Sequence, residues 1–276
     1  MSRPLDGFRV VALGVNAPLI VAGARLASLG ADVVKIEPPS GDPTGASAPD
    51  WYAADTAAQR VLRVDLKEAE GKRRADEELA GADALLTSLR PAALDRLGYG
   101  AAELAERHPG LAYVAIVGYP APRQNVAGHD LTYQAALGLL DPPSLPRVLV
   151  ADLAGAERAV TAVVGLLLAR ERGRPERYEE VPLSAAAEAL AAGYRYGITA
   201  PGGLAGGGDA LYGLYEAADG WIAVAALEGH FRRRLLRELG VEREDRPALA
   251  AAFRGRGTTE WEAWAEERDL PIAAVT

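Results

Sequence analysis

Short runs rich in β-branched residues alternate with helical segments through the first half of the 276-residue chain. The pattern begins with FRVVALG (8–14) as a strand, APLIVAGARLASLG (17–30) as a helix ending on glycine, and ADVVKIE (31–37) as a second strand. Four further runs are predicted to be strands, namely RVLRVDL (60–66), ADALLTSL (82–89), LAYVAIVGY (111–119) and YEEVPLS (178–184). Such alternation indicates a doubly wound α/β domain with a mainly parallel sheet.

The segments between the strands carry the helices and one long loop. EAEGKRRADEELAG (68–81) is predicted to be a polar helix, and LAGAERAVTAVVGLLLARERG (153–173) a buried one with an arginine-rich end. The segment EPPSGDPTGASAPDWYAADT (37–56) is rich in Pro, Gly, Ser and Asp, so we predict a long loop there. Long loops in compact domains are often functional, although an exposed connector is an equally good interpretation.

The composition changes after residue 195, where the glycine-rich stretch ITAPGGLAGGGDA (198–210) begins. It precedes a predicted hairpin, LYGLYEAADGWIAVAAL (211–227), whose turn is Asp219 and Gly220, and two further predicted helices. We therefore predict a large domain over residues 1–195 and a second, smaller α+β domain over residues 196–276. The glycine spacing matches neither a dinucleotide fingerprint nor a P-loop.

Charge and residue content exclude several classes of function. The net charge of -8 provides no basic field for collecting nucleic acid or an anionic membrane, so we expect neither as a partner. The chain has no cysteine, and its three histidines are far apart, so we expect no metal site. Because MSRPLDGFRVVALG does not resemble a signal peptide and no apolar run is long enough to span a bilayer, we expect a cytoplasmic protein.

Ligands of doubly wound sheets bind at the carboxyl ends of the strands. Here those ends lie near Asn16, Pro38, Arg90 and Tyr119, which become candidate walls of a site. Basic residues near such ends, Lys35 and Arg90, suit contact with a phosphate or another anion, although isolated ones are usually only solvated.

Two aspartates and a histidine precede helical runs and have two interpretations each. In AGHDLTY (127–133), Asp130 is a candidate N-cap with His129 as an incidental turn residue, or His129 is catalytic. Asp152 follows a strand-like run and begins a helix, so it is either a cap or a carboxylate at the positive end of a helix dipole, which is expected to keep its pKa low. Glu228 in AALEGHF is either a capping carboxylate or a wall of the site.

Eight segments, in order along nearly the whole chain, resemble the family III CoA transferases, and among them the α-methylacyl-CoA racemase branch. These segments are PLDGFRVVALG, LASLGADVVKIEPPSGDP, RVDLKEAEGK, LLTSLRPAALDRLGYG, HPGLAYVAIVGY, AGHDLTYQAALG, VADLAGAERAVTAVVGLLLARERG and YEAADGWIAVAALEGHF. The resemblance implies a large Rossmann-like domain plus a small domain, assembled as an interlocked homodimer, with acyl-CoA as the substrate and no prosthetic group.

The resemblance also implies roles for four residues. Asp152 matches the aspartate that is the acyl-accepting nucleophile of the transferases and an acid/base of the racemases. His129 matches the racemase histidine of a GHD motif, where many transferases carry another residue. Asp130 and Glu228 match supporting carboxylates. The GHD motif favours the racemase branch.

Four further residues are expected to bind CoA. Lys35 and Arg90 match positions that line the CoA region in the family. Arg60, in AAQRVLRVDL, matches the basic run before the third strand, although a neighbouring lysine of that run is missing here. Asn16, at the end of the first strand, completes the expected set.

A racemase of this kind removes the proton next to a thioester on one face and returns it on the other, which requires two groups. We expect neutral His129 on one face, ionised Asp152 on the other, and the first amides of the helix 153–173 bonded to the enolate oxygen. The alternative is a CoA transferase that forms a covalent aspartyl-CoA thioester on Asp152. Since family members continue past DLPIAAVT into a segment that returns to the large domain, a third alternative is a shortened relative that binds acyl-CoA or a partner subunit without turnover.

Overall fold

The computed structural model describes residues 2–276 and divides the chain into two compact units. The first ends at Leu190 and the second is Ala191–Thr276. The boundary predicted at residue 195 lies at the end of a short helix, Ala192–Arg195, that belongs to the second unit. The glycine-rich composition that suggested it begins only after that helix, at residue 197.

The first unit is built on a six-stranded sheet in which every neighbouring pair is parallel. Its strands are β1 (Arg9–Leu13), β2 (Asp32–Glu37), β3 (Gln59–Arg63), β4 (Ala84–Thr87), β5 (Ala112–Val117) and β6 (Tyr178–Pro182). Their order across the sheet is β3-β2-β1-β4-β5-β6, the doubly wound order of a Rossmann-like fold. The predicted fold class is confirmed, and the strand order reverses between β1 and β4.

Nine helices in the described part of the first unit lie between or after these strands, and a tenth begins the second unit. They are α1 (Ala17–Ser28), α2 (Pro43–Ser47), α3 (Pro49–Thr56), α4 (Ala69–Ala80), α5 (Pro91–Leu97), α6 (Ala101–Arg107), α7 (Asp130–Ala136), α8 (Val150–Glu171), α9 (Leu183–Leu190) and α10 (Ala192–Arg195). The predicted loop over 37–56 is therefore wrong in part, since it contains α2 and α3. Both begin on a proline, which is compatible with the first turn of a helix because its missing N–H would have no helical partner there.

The central strands are buried on both faces, as the alternating side chains of β1 show. Val10 and Ala12 join one apolar cluster with α1, α8 and α9, while Val11 and Leu13 join another with α4, α5 and α6. This packing explains why the central strands read as continuous apolar runs. The segments that follow β1 and β4 lead to helices on opposite faces of the sheet, so they diverge at the carboxyl ends of these two strands.

The second unit has its own apolar core and a three-stranded antiparallel sheet. Its remaining elements are β7 (Tyr212–Glu216), β8 (Trp221–Ala225), α11 (Gly229–Leu239), α12 (Arg246–Phe253), α13 (Thr258–Glu266) and β9 (Ile272–Ala274). The predicted hairpin is confirmed, with Glu216 paired to Trp221 across the turn. Helix α12 and strand β9 were not predicted. Within residues 2–276, no helix combines the length and the apolar character needed to cross a bilayer.

Candidate active site

A cavity of about 160 Å³ lies in the first unit, at the carboxyl ends of β1, β4 and β5. Its lining residues are Val15, Asn16, Pro18, Ser88, Arg90, Ile116, Val117, Gly118, Gln124, Val126, Gly128, His129, Tyr133, Asp152 and Leu183. The structure thus brings together His129, Asp152, Asn16 and Arg90, which are distant in sequence. The strand-end argument located this cavity correctly at Asn16 and Arg90.

The turn between β1 and α1 forms one wall of this cavity. Ser88 holds the turn, since its hydroxyl donates to the carbonyl of Val15 at 2.7 Å and accepts from the Val15 amide at 3.2 Å. Asn16 has φ 79° and ψ 163°, a conformation that costs a residue other than glycine on the order of 1–3 kcal/mol. Surrounding contacts must therefore hold Asn16 in place.

Tyr133 on α7 lines the cavity, and its ring packs so closely that two neighbouring positions must be glycine. Only 2% of this residue is exposed, and its ring packs edge-on against Tyr119 with centroids 5.2 Å apart. A Cβ at either Gly118 or Gly128 would lie 2.5 Å from the Tyr133 hydroxyl oxygen. The glycine before His129 is thus required by close packing, and its φ is not in the left-handed region.

His129 is the residue immediately before α7, where the chain is extended and exposed. Its backbone N–H donates to Thr132 Oγ1 at 3.1 Å, and the Thr132 hydroxyl donates to the His129 carbonyl at 2.7 Å. Thr132 therefore secures the backbone at the helix start, while the imidazole borders the cavity.

Asp130 caps a helix, but not the helix that the sequence suggested. Its Oδ1 accepts from the backbone N–H groups of Ala151, at 2.6 Å, and Asp152, at 3.2 Å, both in the first turn of α8. Gln134 donates to the other oxygen at 2.5 Å and to the Val148 carbonyl at 3.1 Å. The predicted cap of α7 is wrong because the Asp130 side chain is buried beneath the start of α8.

Asp152 lies inside the first turn of α8, which begins at Val150, so it is neither a cap nor the end of a strand. Burial is the largest cause that raises the pKa of this carboxyl from its ordinary 3.8 to about 6, and the negative charge of Asp130 raises it further. The positive charge available at His129 acts in the opposite direction. The expectation that the helix dipole keeps this pKa low is wrong, because burial and a neighbouring carboxylate outweigh it.

The amides of Ala151, Asp152 and Leu153 in the first turn of α8 are not free to bind an enolate oxygen. Asp130 accepts from those of Ala151 and Asp152, and the amide of Leu153 donates to the Leu149 carbonyl at 3.0 Å. That expectation is therefore corrected. The side chains of Asn16, Arg90 and Gln124 also border the cavity and carry donor groups.

Lys35 and Arg60 do not line the cavity. Lys35 is fully buried, with its ammonium 2.5 Å from Glu37 and 3.0 Å from Asp42, so it cannot contact a phosphate directly. Because Glu37 and Asp42 pair with it inside the protein, this lysine is internal and not solvated. Arg60 is half-exposed on edge strand β3 and pairs with Glu78 of α4 at 2.7 Å.

Arg90 belongs to the first unit and borders the cavity, whereas Glu228 belongs to the second unit. Arg90 is exposed at the residue before α5 and borders the cavity, as expected of a group that binds an anion. Glu228 belongs to the second unit, at the residue before α11, where its side chain makes no capping hydrogen bond.

A second cavity, of about 220 Å³, lies at the carboxyl ends of β1, β2 and β3. Its walls are Leu13, Gly14, Val15, Ile36, Glu37, Pro38, Val64, Asp65, Leu66, Lys67, Leu89 and Leu97. Val15 borders both cavities. Sequence reasoning did not single out Lys67, an exposed cation on this wall, although it lies in the quoted segment RVDLKEAEGK.

The segment between β5 and α7 covers one side of the first cavity and is tied to edge strand β6. Glu180 accepts from the Gln124 side chain at 3.0 Å and from the Ala121 amide at 3.3 Å. Arg123 stacks over the ring of Tyr119 at 4.3 Å. Across residues 2–276, no three His, Asp or Glu side chains are grouped as metal ligands.

Known proteins resemble this chain along its length. It is 31% identical over 264 residues to the α-methylacyl-CoA racemase of Mus musculus, covering 88% of this chain and 67% of that protein. It is 29% identical to the succinyl-CoA:(R)-benzylsuccinate CoA-transferase subunit BbsE of Thauera aromatica, covering 83% and 61%. The crystal structure of a hypothetical protein from Mycobacterium tuberculosis superposes with a TM-score of 0.86 at 24% identity, covering all of this chain and 86% of the other, which supports the fold.

The chain is shorter than these relatives, and it spans between 35% and 65% of the length of several other curated ones. The family model described as CoA-transferase family III matches residues 5–276, which is nearly the whole chain. The resemblance inferred from eight collinear segments is confirmed. The chain belongs to the CoA-transferase family III.

Proposed function

We propose that the protein racemises the carbon next to the thioester of a 2-methyl-branched acyl-CoA. The observation that carries this proposal is the presence of His129 and Asp152 on one cavity, with burial and Asp130 raising the pKa of Asp152 to about 6. A pKa of about 6 allows Asp152 to be either ionised or protonated close to neutral pH. A reaction that runs in both directions needs such a group, because the same carboxyl must remove the proton in one direction and deliver it in the other.

The proton transfer then follows from these two groups. Ionised Asp152 removes the α-proton from one face of the thioester, which leaves an enolate, and protonated His129 delivers a proton to the other face. In the reverse direction, neutral His129 removes the proton and protonated Asp152 delivers it. One proton enters and one leaves in each turnover, so the substrate and product differ only in configuration.

We assign binding of the CoA portion to the second cavity and to Arg90 beside the first cavity. The second cavity is mostly apolar, shares Val15 with the first and carries the cation Lys67, so it suits a flat base next to phosphates. Arg90, exposed beside the first cavity, supplies a second cation for the same anionic arm. Binding energy from this arm would position the reacting carbon.

Deuterium wash-in at the α-carbon tests the racemase proposal. With an acyl-CoA and no acceptor acid, the native protein should exchange the α-proton with solvent deuterium. His129→Gln and Asp152→Asn should each lower that exchange by about 10²–10⁴-fold. His108→Gln, which changes a histidine outside the cavity, serves as the matched control. Undiminished exchange in either site variant contradicts the two-base assignment.

The alternative is a CoA transferase, which is favoured by the position of Asp152 on the cavity wall and by the transferases among the relatives. The carboxylate would attack the thioester carbonyl, expel the CoA thiolate and form a mixed anhydride. Attack by the thiolate on the aspartyl carbonyl would then release the first acid and leave an aspartyl-CoA thioester. An acceptor carboxylate would attack that thioester, expel the thiolate and form a second anhydride, and attack by the thiolate on the acceptor's acyl carbonyl would give the new acyl-CoA and free Asp152. Acceptor-dependent CoA exchange and hydroxylamine-sensitive labelling of Asp152, without α-exchange, would support it.

We also propose that the working form is an interlocked homodimer, as the resemblance to the family implies. Light scattering of the purified chain at several concentrations tests this. A chain that binds acyl-CoA but shows neither α-exchange nor CoA transfer would support the shortened, non-catalytic alternative.

A further inference from the structure

A buried ion network lies directly behind the β1–α1 turn. The Lys35 ammonium is 2.5 Å from Glu37 Oε2, 3.0 Å from Asp42 Oδ2 and 3.5 Å from the Gly14 carbonyl oxygen. The side chains of Lys35, Glu37 and Asp42 are all fully buried. Each charge in this group is therefore compensated inside the protein.

Asp42 connects this network to the wall of the first cavity. Its carboxylate accepts from the Asn16 backbone N–H, at 3.0 and 3.2 Å, and from the Thr44 N–H, at 2.9 Å. The first bond secures the β1–α1 turn, and the second caps α2. The bond from the Asn16 N–H to Asp42 and the contact between Lys35 and the Gly14 carbonyl together hold the turn at both ends.

Glu37 makes the contacts of the network on the side away from the β1–α1 turn. Arg63 donates to Glu37 Oε1 at 2.8 Å, and the Tyr52 hydroxyl donates to Oε2 at 2.9 Å. Burial alone would raise the pKa of Glu37, but hydrogen bonds from Lys35 and Arg63 hold it below its ordinary value. Arg63 contacts neither Asn16 nor Gly14, so it belongs to the same network without touching the turn.

We propose that the Lys35–Asp42 ion pair positions the β1–α1 turn, and Asn16 in particular, for binding of the acyl-CoA. The pair holds Asn16 in a backbone conformation that L-residues rarely adopt, at the point where Val15 borders both cavities. Lys35 thus acts on the ligand through the turn and not by contact. The inference rests on the proposed acyl-CoA function for its ligand but not for its geometry.

The test compares Asp42→Asn with Arg63→Gln in the full chain. Asp42→Asn removes one of the two carboxylates that bind Lys35 and replaces one of the two oxygens that accept from the Asn16 and Thr44 amides with a donor group. Arg63→Gln removes a partner of Glu37 on the side away from the turn. Amide hydrogen exchange measures whether the Asn16 N–H is still protected, and calorimetry measures the dissociation constant of coenzyme A. Steady-state kinetics then separates KM from kcat.

Asp42→Asn should accelerate exchange at Asn16 and raise the dissociation constant and KM by about tenfold, with a smaller change in kcat. Arg63→Gln should leave all three close to native. If Asp42→Asn does not fold, Asp42→Glu, which keeps the charge but displaces the carboxylate, should give the same changes.

Unchanged exchange and binding in the Asp42 variant, or equal changes in the Arg63 variant, would overturn the positioning role. The proposed function fails separately, if the native protein binds neither coenzyme A nor acyl-CoA. Exchange at Asn16 then decides the positioning role by itself.

Discussion

The charge of Asp130 is predicted to control the protonation of Asp152, and Asp130→Asn isolates that effect. Asparagine keeps a side-chain oxygen that can accept from the amides of Ala151 and Asp152, so the start of α8 should stay capped. The substitution removes the negative charge and turns the oxygen that accepts from Gln134 into a donor group. The pKa of Asp152 should therefore fall.

The structure sets the size of this fall. Burial is the larger cause of the rise from 3.8 to about 6, and it persists in the variant, while the charge of Asp130 is the second cause and disappears. We therefore expect the pKa of Asp152 to fall from about 6 and to stay above its ordinary 3.8, with each pH unit of the fall corresponding to about 1.4 kcal/mol. A fall of one pH unit would raise the ionised fraction of Asp152 at pH 5 about fivefold.

The titration of Asp152 in protein labelled with ¹³C at aspartate measures this midpoint directly. In the kinetics, the acid limb of kcat/KM for the direction that needs ionised Asp152 should also move to lower pH. Asp141→Asn, which removes an exposed charge outside the cavity, should change neither measurement. A midpoint for Asp152 that stays at its native value or rises in Asp130→Asn would refute the reasoning.

Three further substitutions test the packing and electrostatics around the cavity. Asp152→Asn should stabilise the fold by about 1–2 kcal/mol at pH 7 and hardly at pH 4, because a raised folded-state pKa gives stability that is complete below about 3.8 and lost as the pH rises through about 6; urea unfolding at both pH values checks this, and destabilisation at pH 7 contradicts it. Gly118→Ala should cost about 1–3 kcal/mol, and less when Tyr133→Phe removes the hydroxyl that the new methyl group meets; a double-mutant cycle with no coupling would show the collision to be absent. Gln134→Leu should cost about 1–3 kcal/mol, because buried Asp130 loses a donor; an unchanged urea midpoint would contradict this.

Much of the first unit was predictable because the relevant signals are local. The central strands β1, β2, β4 and β5 are short runs that burial on both faces makes mostly apolar, whichever elements cover them. The loop predicted over 37–56 shows the limit of composition. Proline and glycine suggest breaks, but a proline at the first helical position begins a helix, as in α2 and α3.

The site was predictable in membership but less so in mechanism. The GHD and VADLAGA motifs placed His129 and Asp152 together, and the strand-end rule added Asn16 and Arg90. The functions of Asp130 and Lys35 depended on contacts between distant segments. Asp130 caps a helix that begins 20 residues downstream, at Val150. Lys35 reaches the Gly14 carbonyl of the β1–α1 turn and is neutralised by Glu37 at the end of β2 and by Asp42 at the start of α2.

The sequence by itself thus determined the fold class, the family and the candidate catalytic residues, because periodicity and collinear motifs can be read from the order of the residues alone. Only the tertiary structure decided which of those residues share a cavity, which amides are already bonded and which lysine is buried. The physical reason is that desolvation and charge pairing act between groups brought together by folding. The raised pKa of Asp152, which depends on burial and on the carboxylate of Asp130, is such a property.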